Sequence, residues 1–182
     1  MKVLSNTLNG VLKIEMERHD DSRGWFCEGY QQDGFRRLGI SNAFVQDNFS
    51  HTIKKGTIRG LHFQAEPYSQ SKLFRCIRGA VYDIVVDLRK DSPTYLQWAG
   101  FELNGDRFEW LYVPKGFAHG FQTLCDSCDV QYKVDQVYRP ESERCIRWND
   151  PELGINWPVP ATNLSEKDSQ GLSLADFRLS GG

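Results

Sequence analysis

Apolar and polar residues alternate along this chain in short runs, the period-2 pattern of strands rather than the 3.6-residue period of helices. Residues 10–16 (GVLKIEM), 25–30 (WFCEGY), 43–50 (AFVQDNFS), 57–63 (TIRGLHF), 73–77 (LFRCI), 97–103, 108–113, 120–124 and 130–134 read as strands. Residues 79–87 (GAVYDIVVD) form the most apolar run and predict a central strand. Asn104-Gly105-Asp106 predicts a tight hairpin joining 97–103 to 108–113, and 120–124 with 130–134 reads as a further pair. Residues 19–24 (HDDSRG) read as a polar turn, Pro67, Ser69 and Ser71 mark a loop, and the chain after Tyr138 is turn-rich. Helix is predicted only over 32–38 and from Ser165, a candidate N-cap, to Asp168. Strands at short, regular spacing between Gly and Pro turns predict an all-β sandwich or barrel.

Composition narrows this further. The 182 residues, without repeats or a linker, fit one domain (1–182) with a real core. With 40% hydrophobic and 25% charged residues and a net charge of −2, no basic excess points to nucleic acid. No apolar run reaches membrane-spanning length, and the N-terminus lacks the apolar segment of a signal peptide. The five cysteines are odd in number and scattered, the usage expected of a cytoplasmic protein with reduced thiols. Cys125-Asp126-Ser127-Cys128 is a single CxxC without the second pair that structural zinc needs or the βαβ context of a redox motif. His19 and His51 read as solvent-facing.

Candidate chemistry concentrates in residues 56–79, which gather Arg59, His62, Gln64 and Lys72. Strict alternation places Ile58, Gly60 and His62 on one face and Arg59, Leu61 and Phe63 on the other; a bulge at Gly60 would re-aim them. Residues 113–121 (VPKGFAHGF) set His119 among glycines. Two histidine-bearing strands of a barrel can share one mouth, where such folds bind ligands. Taken singly, each residue has a plainer reading: Tyr132 as a packed strand aromatic, Asp168 as a first-turn carboxylate favoured by the helix dipole, Arg23, Glu28 and Glu143 as solvated turn charges. Neither GxGxxG nor a Walker loop is present, so no dinucleotide-type cradle is expected.

Eight segments taken in order change the weighting: DSRGWFCE from Asp21, FVQDNFS from Phe44, RGLHFQ from Arg59, KLFRCIRGAVYDIVVDLRKDSPT from Lys72, VPKGFAHGF from Val113, QYK from Gln131, WNDPELGINWP from Trp148 and LSEKD from Leu164. Together they resemble the dTDP-4-dehydrorhamnose 3,5-epimerase family. The resemblance implies an all-β, cupin-type jelly-roll barrel with short peripheral helices. It also implies cofactor-independent inversion of C3 and/or C5 in a nucleotide-diphosphate 4-keto-6-deoxy-sugar. The implied catalytic set is His62 as base, Asp168 behind its imidazole, Lys72 at the enolate oxygen and Tyr132 returning a proton from the opposite face. Implied substrate contacts are Arg23, Glu28, Gln46, Asp47, Asn48, Arg59, His119, Glu143 and Lys167, with Tyr138 stacking on the base. A homodimer is implied too, with N-terminal strands exchanged so that Arg23, Trp25 and Glu28 reach the partner's pocket.

Metal-binding cupins similarly carry Gly, His, His, Glu and Gly in a first motif; the matching positions here are Gly56, His62, Gln64, Lys72 and Gly79, and the second motif keeps Pro114, Gly116 and His119. Two imidazoles facing an ammonium make a poor metal site, so none is expected. This weighs against a metal-dependent cupin oxygenase or isomerase. The full set His62, Lys72, Tyr132 and Asp168 weighs against a non-catalytic sugar-binding cupin. A C3-only epimerase, or one for GDP- or CDP-sugars including heptoses, stays open at this stage.

Overall fold

The computed structural model describes residues 1–179. The chain runs through β1 (Lys2–Thr7), β2 (Val11–Glu15), β3 (Arg18–Asp21), β4 (Gly24–Cys27), α1 (Gln32–Arg37), β5 (Gln46–Thr52), β6 (Ile58–Gln64), β7 (Lys72–Arg78), β8 (Ala80–Asp87), β9 (Trp98–Asn104), β10 (Glu109–Val113), β11 (Phe117–Thr123), β12 (Cys128–Val134), β13 (Glu143–Cys145), α2 (Glu166–Ser169) and α3 (Leu174–Leu179). One antiparallel sheet has the order β1-β2-β10-β7-β12-β5, a second β13-β6-β11-β8-β9, and β3–β4 is a separate hairpin. This is the expected cupin-type β barrel with short peripheral helices.

Alternation explains how the two sheets close on each other. On β8, Val81 and Val85 point inward to Phe74 of β7, Leu111 and Val113 of β10, Phe117 and Phe121 of β11 and Val130 of β12. The outer faces are covered as well. Ile84 and Val86 pack with Leu61, Ala118 and the returning C-terminal segment through Ile146, Leu153, Leu174 and Phe177. On the other sheet, Ile14, Leu73 and Trp110 pack against Phe35 of α1 and Ile40. Strands buried on both sides carry near-continuous apolar runs, which is why residues 79–87 stand out in the sequence.

Two expected pairings are corrected. β9 and β10 do not form a hairpin: β9 pairs with β8, while β10 pairs with β2 and β7. Likewise β11 pairs with β6 and β8, and β12 with β5 and β7. In both cases the turn carries the chain from one sheet to the facing one, and turn residues alone do not distinguish that step from a hairpin. Three strands and a helix went unread. Residues 2–7 form β1, which pairs with β2, and residues 19–21, taken as part of a turn, lie on β3, which pairs with β4. β13 is too short to show a period, and α3 follows an Asp150 carboxylate that accepts from Leu174 N at 2.9 Å. No helix among the described residues is long and apolar enough to cross a membrane.

Candidate active site

The site begins with a bulge. His62 of β6 sits opposite His119 of β11, and Arg59 opposite Phe121, so two steps along β11 match three along β6. The extra residue lies at Gly60, whose φ of 134° suits glycine. Strict alternation would part Arg59 from His62; the bulge brings both to the barrel interior. Leu61 and Phe63 keep to the outer face. The bulge also requires close approach: a Cβ on Gly60 would lie 2.5 Å from Gly120 Cα, and one on Gly120 would lie 2.7 Å from Arg59 O.

Next comes the carboxylate behind the base. The segment before α2 runs beside the start of β6, with Ile58 N donating to Asn163 O at 3.0 Å. Ser165 then caps α2, its Oγ accepting from Asp168 N at 3.1 Å, as the sequence predicts. This turn places buried Asp168 against His62, Oδ1 to Nε2 at 2.5 Å. Burial pushes the Asp168 carboxyl up, but hydrogen bonding and charge from His62, with the Ser165 hydroxyl, outweigh it and hold the group below its ordinary value.

Both sheets line a cavity of about 290 Å³ whose walls include Ser50, Arg59, His62, Lys72, Phe74, His119, Tyr132, Glu143, Lys167 and Asp168. A smaller pocket shares His62, Lys72, Tyr132 and Glu143 with it and extends to Tyr138. His62 and His119 come from the five-stranded sheet, Lys72 and Tyr132 from the facing six-stranded one. The Phe74 ring touches both sides, 5.0 Å from His119 and 6.2 Å from Tyr132 between ring centroids. Lys72 donates to His62 O at 3.2 Å. Burial lowers its ammonium to about 8, against the pull of Asp83 and Glu143. Burial, with the Glu143 charge, raises the Tyr132 phenol, so it is a proton donor at neutral pH. Arg59 is braced by Thr52 Oγ1 at 3.0 Å and His51 O at 3.2 Å.

The mouth is an ionic cluster. Glu143 accepts from Tyr138 Oη at 2.5 Å and pairs with Lys167. Gln46 accepts from Tyr138 N at 3.2 Å and donates to Asn48 at 2.9 Å. Gln46, Asn48 and Ser50 share the inward face of β5, whereas Asp47 is turned outward to Lys133 at 2.7 Å. Arg23 lies at the tip of the β3–β4 hairpin, its side chain 88% exposed and, among the described residues, paired with Asp21. Glu28 lines a separate pocket with Met16, His19 and Arg37. The single chain therefore groups every implied site residue except Asp47, Arg23 and Glu28 around one cavity and its mouth.

Sequence reasoning missed Asp83, a fully buried carboxylate whose Oδ2 lies 2.8 Å from His119 Nε2. Its signal was a charge inside the most apolar run of the chain, since buried charges are rare without a partner. It also missed Cys145, whose Sγ lies close enough to His62 and Asp168 that one donor atom of each falls within 4.8 Å of the others. These three suit a metal poorly. His62 and Asp168 already engage each other, and burial pushes the Cys145 thiol up to about 12, whereas metals take thiolate.

Comparison with known proteins identifies the family. Residues 5–176 match the family model described as dTDP-4-dehydrorhamnose 3,5-epimerase. The enzyme of that name from Sinorhizobium fredii is 46% identical over 171 residues, covering 93% of this chain and 88% of that one. The Bacillus anthracis dTDP-4-dehydrorhamnose 3,5-epimerase crystal structure, with TDP and PPi bound, superposes with a TM-score of 0.93 at 46% identity, covering 95% of this chain and 99% of that one. The Legionella pneumophila dTDP-6-deoxy-D-glucose-3,5-epimerase, in complex with dTDP-4-keto-L-rhamnose, gives 0.91 at 40% identity over 96% of this chain and 93% of that one. With the barrel, the cavity and these matches in hand, the chain belongs to the dTDP-4-dehydrorhamnose 3,5-epimerase family and is an isomerase.

Proposed function

We propose that the chain epimerises C5 and C3 of a dTDP-linked 4-keto-6-deoxyhexose by proton transfer through an enolate. Hydrogens on both carbons are acidified by the C4 ketone, because removing either leaves charge on the ketone oxygen. His62 takes the proton, and Asp168 holds the ring and stabilises the imidazolium that forms. The buried Lys72 ammonium meets the developing oxyanion; one such donor in a dry site is commonly worth about 3–4 kcal/mol. Tyr132 delivers a proton to the other face. The observation that carries this reading is that His62 and Tyr132 line one cavity from opposite sheets, so a sugar ring between them offers one face to each.

Arg59 serves the diphosphate as a guanidinium fork, Gln46, Asn48, Glu143 and Lys167 serve the substrate at the mouth, and exposed Tyr138 stacks on the base. The buried ammonium of Lys72 takes the part a Lewis acid would otherwise play, so no step is routed through a metal. The active form is a homodimer: Arg23 and Glu28 lie outside this chain's cavity, and the hairpin between them exposes Trp25 and Phe26, consistent with strands lent to a partner. A fully active monomer in sedimentation and kinetic measurements would overturn the dimer.

Tyr132→Phe tests the two-face mechanism, because it keeps the ring beside Phe74 and removes only the proton. In D₂O the variant washes deuterium into C5 and C3 with retention, while inversion falls by roughly 10²–10⁴-fold. Wild-type inversion would reduce Tyr132 to a packing aromatic. Loss of exchange together with inversion would place its role in binding.

A further inference from the structure

The mechanism leaves Asp83 without a task. It is fully buried, its Oδ2 engages only His119, and its Oδ1 has no hydrogen-bond partner among the described residues. A buried carboxylate with an unused oxygen is costly unless nearby positive charge offsets it. Lys72 supplies that charge. The groups facing Lys72 are Arg59 and His62 from β6, Asp83 from β8, His119 from β11, Tyr132 from β12 and Glu143 from β13, with Lys167 and Asp168 of α2 at the edge. Among these carboxylates, Asp168 is taken up by His62, and Glu143 by Lys167 and Tyr138. Asp83 alone has spare charge to give, and it exerts the strongest attraction on the Lys72 ammonium.

We propose that Asp83 is a positioning residue for epimerisation: it fixes His119 through Nε2 and supplies the buried negative charge that keeps Lys72 an ammonium where the enolate oxygen forms. The inference rests on the roles given above to Lys72 and His119. An ionised Asp83 accepts the Nε2 proton, so neutral His119 keeps its proton on Nε2 and offers Nδ1 as an acceptor for a sugar hydroxyl. Burial lowers the His119 imidazole and raises the Asp83 carboxyl, while their mutual attraction opposes both shifts.

The sign of the pH effect follows. Lys72 is charged below about 8 and loses its proton above, so wild-type kcat falls as pH rises through that value. Removing the Asp83 charge makes the ammonium easier to deprotonate and moves the basic limb down. Asp83→Asn is compared with wild type and Lys72→Met by C3 and C5 deuterium exchange on dTDP-4-keto-6-deoxyglucose across pH. The expected result is a basic limb displaced downward by about one pH unit, a kcat loss of about fivefold at pH 8 that approaches about tenfold above it and shrinks at lower pH, and KM within about threefold. A uniform loss with the limb unmoved would be structural damage and would overturn the proposal. If Lys72→Met exchanges at the wild-type rate, the reading of the site itself fails; if it is inactive and the Asp83→Asn limb stays put, only the present inference fails. Should Asp83→Asn not fold, ¹⁵N imidazole spectra of the wild-type protein decide: the Nε2–H tautomer of His119 is expected, and the Nδ1–H tautomer would overturn the assignment.

Discussion

Strand β8 turns two buried carboxylates, Asp83 and Asp87, to the same side of the sheet, and they end in opposite conditions. Asp83 has one partner and an idle oxygen beside the cavity. Asp87 is saturated. Its Oδ1 accepts from Arg89 N and Nε at 3.0 and 2.8 Å, and its Oδ2 from Arg89 Nη2, Ser92 and Thr94 at 2.7, 2.5 and 2.6 Å. Burial pushes the Asp87 carboxyl up, but these donors outweigh it and hold it at about 2. Arg89 goes on to bond Leu8 O and Asn9 O and to cover the Phe117 ring, so Asp87 fastens the β8–β9 loop to the β1–β2 turn. A fully satisfied buried charge is a structural fastening, while one left short of partners, next to a cavity, is reserved for chemistry.

Substitutions at the two clusters should separate rate from stability. The largest effect is expected for His62→Ala, which removes the base: deuterium exchange and inversion both fall by roughly 10²–10⁴-fold while the thermal midpoint stays near wild type. Asp168→Asn, which leaves the imidazole in place but poorly held, loses less. Near-normal turnover in His62→Ala would end the distinction at the cavity end. Asp87→Asn should do the reverse, lowering stability in urea by about 2–3 kcal/mol while kcat per folded molecule stays within about twofold. The sign follows from the depressed carboxyl: folded Asp87 titrates at about 2 against an ordinary 3.8, so its contribution is complete above 3.8 and is lost as pH falls towards 2. Wild type should therefore lose stability over that window, and Asp87→Asn should lose less. Equal acid sensitivity in both would show that Asp87 is not the fastening described.

Asp83 and Asp87 also mark the limit of what the sequence discloses. The run GAVYDIVVD announces a central strand, and alternation assigns both carboxylates to one face, but their partners come from β11 and from the following loop, which no local pattern brings together. Most strands were legible because their two-sided burial writes apolar runs. Their pairing was not, because Asn104-Gly105-Asp106 reads as a hairpin turn whether the chain returns to the same sheet or crosses to the facing one. The cavity was legible through motifs: His62, Lys72, His119, Tyr132 and Asp168 come together across 106 positions of chain separating His62 from Asp168. Arg59 joined them only because Gly60 breaks the alternation, an option the sequence allowed without selecting.

The Gly60–Gly120 contact bears on how such a cavity can diversify. With no side chain between β6 and β11 at that point, backbone rests on backbone, and the spacing of His62 and His119 is set by main-chain packing rather than by any replaceable group. The acid–base core is thereby insulated from drift in its surroundings. The mouth is built otherwise, from side chains of Tyr138, Glu143 and Lys167 on a loop, a three-residue strand and a four-residue helix. Replacing these alters what is admitted without moving what reacts, so new sugar or nucleotide preferences in this barrel are to be sought at its rim, with the glycine contact left untouched.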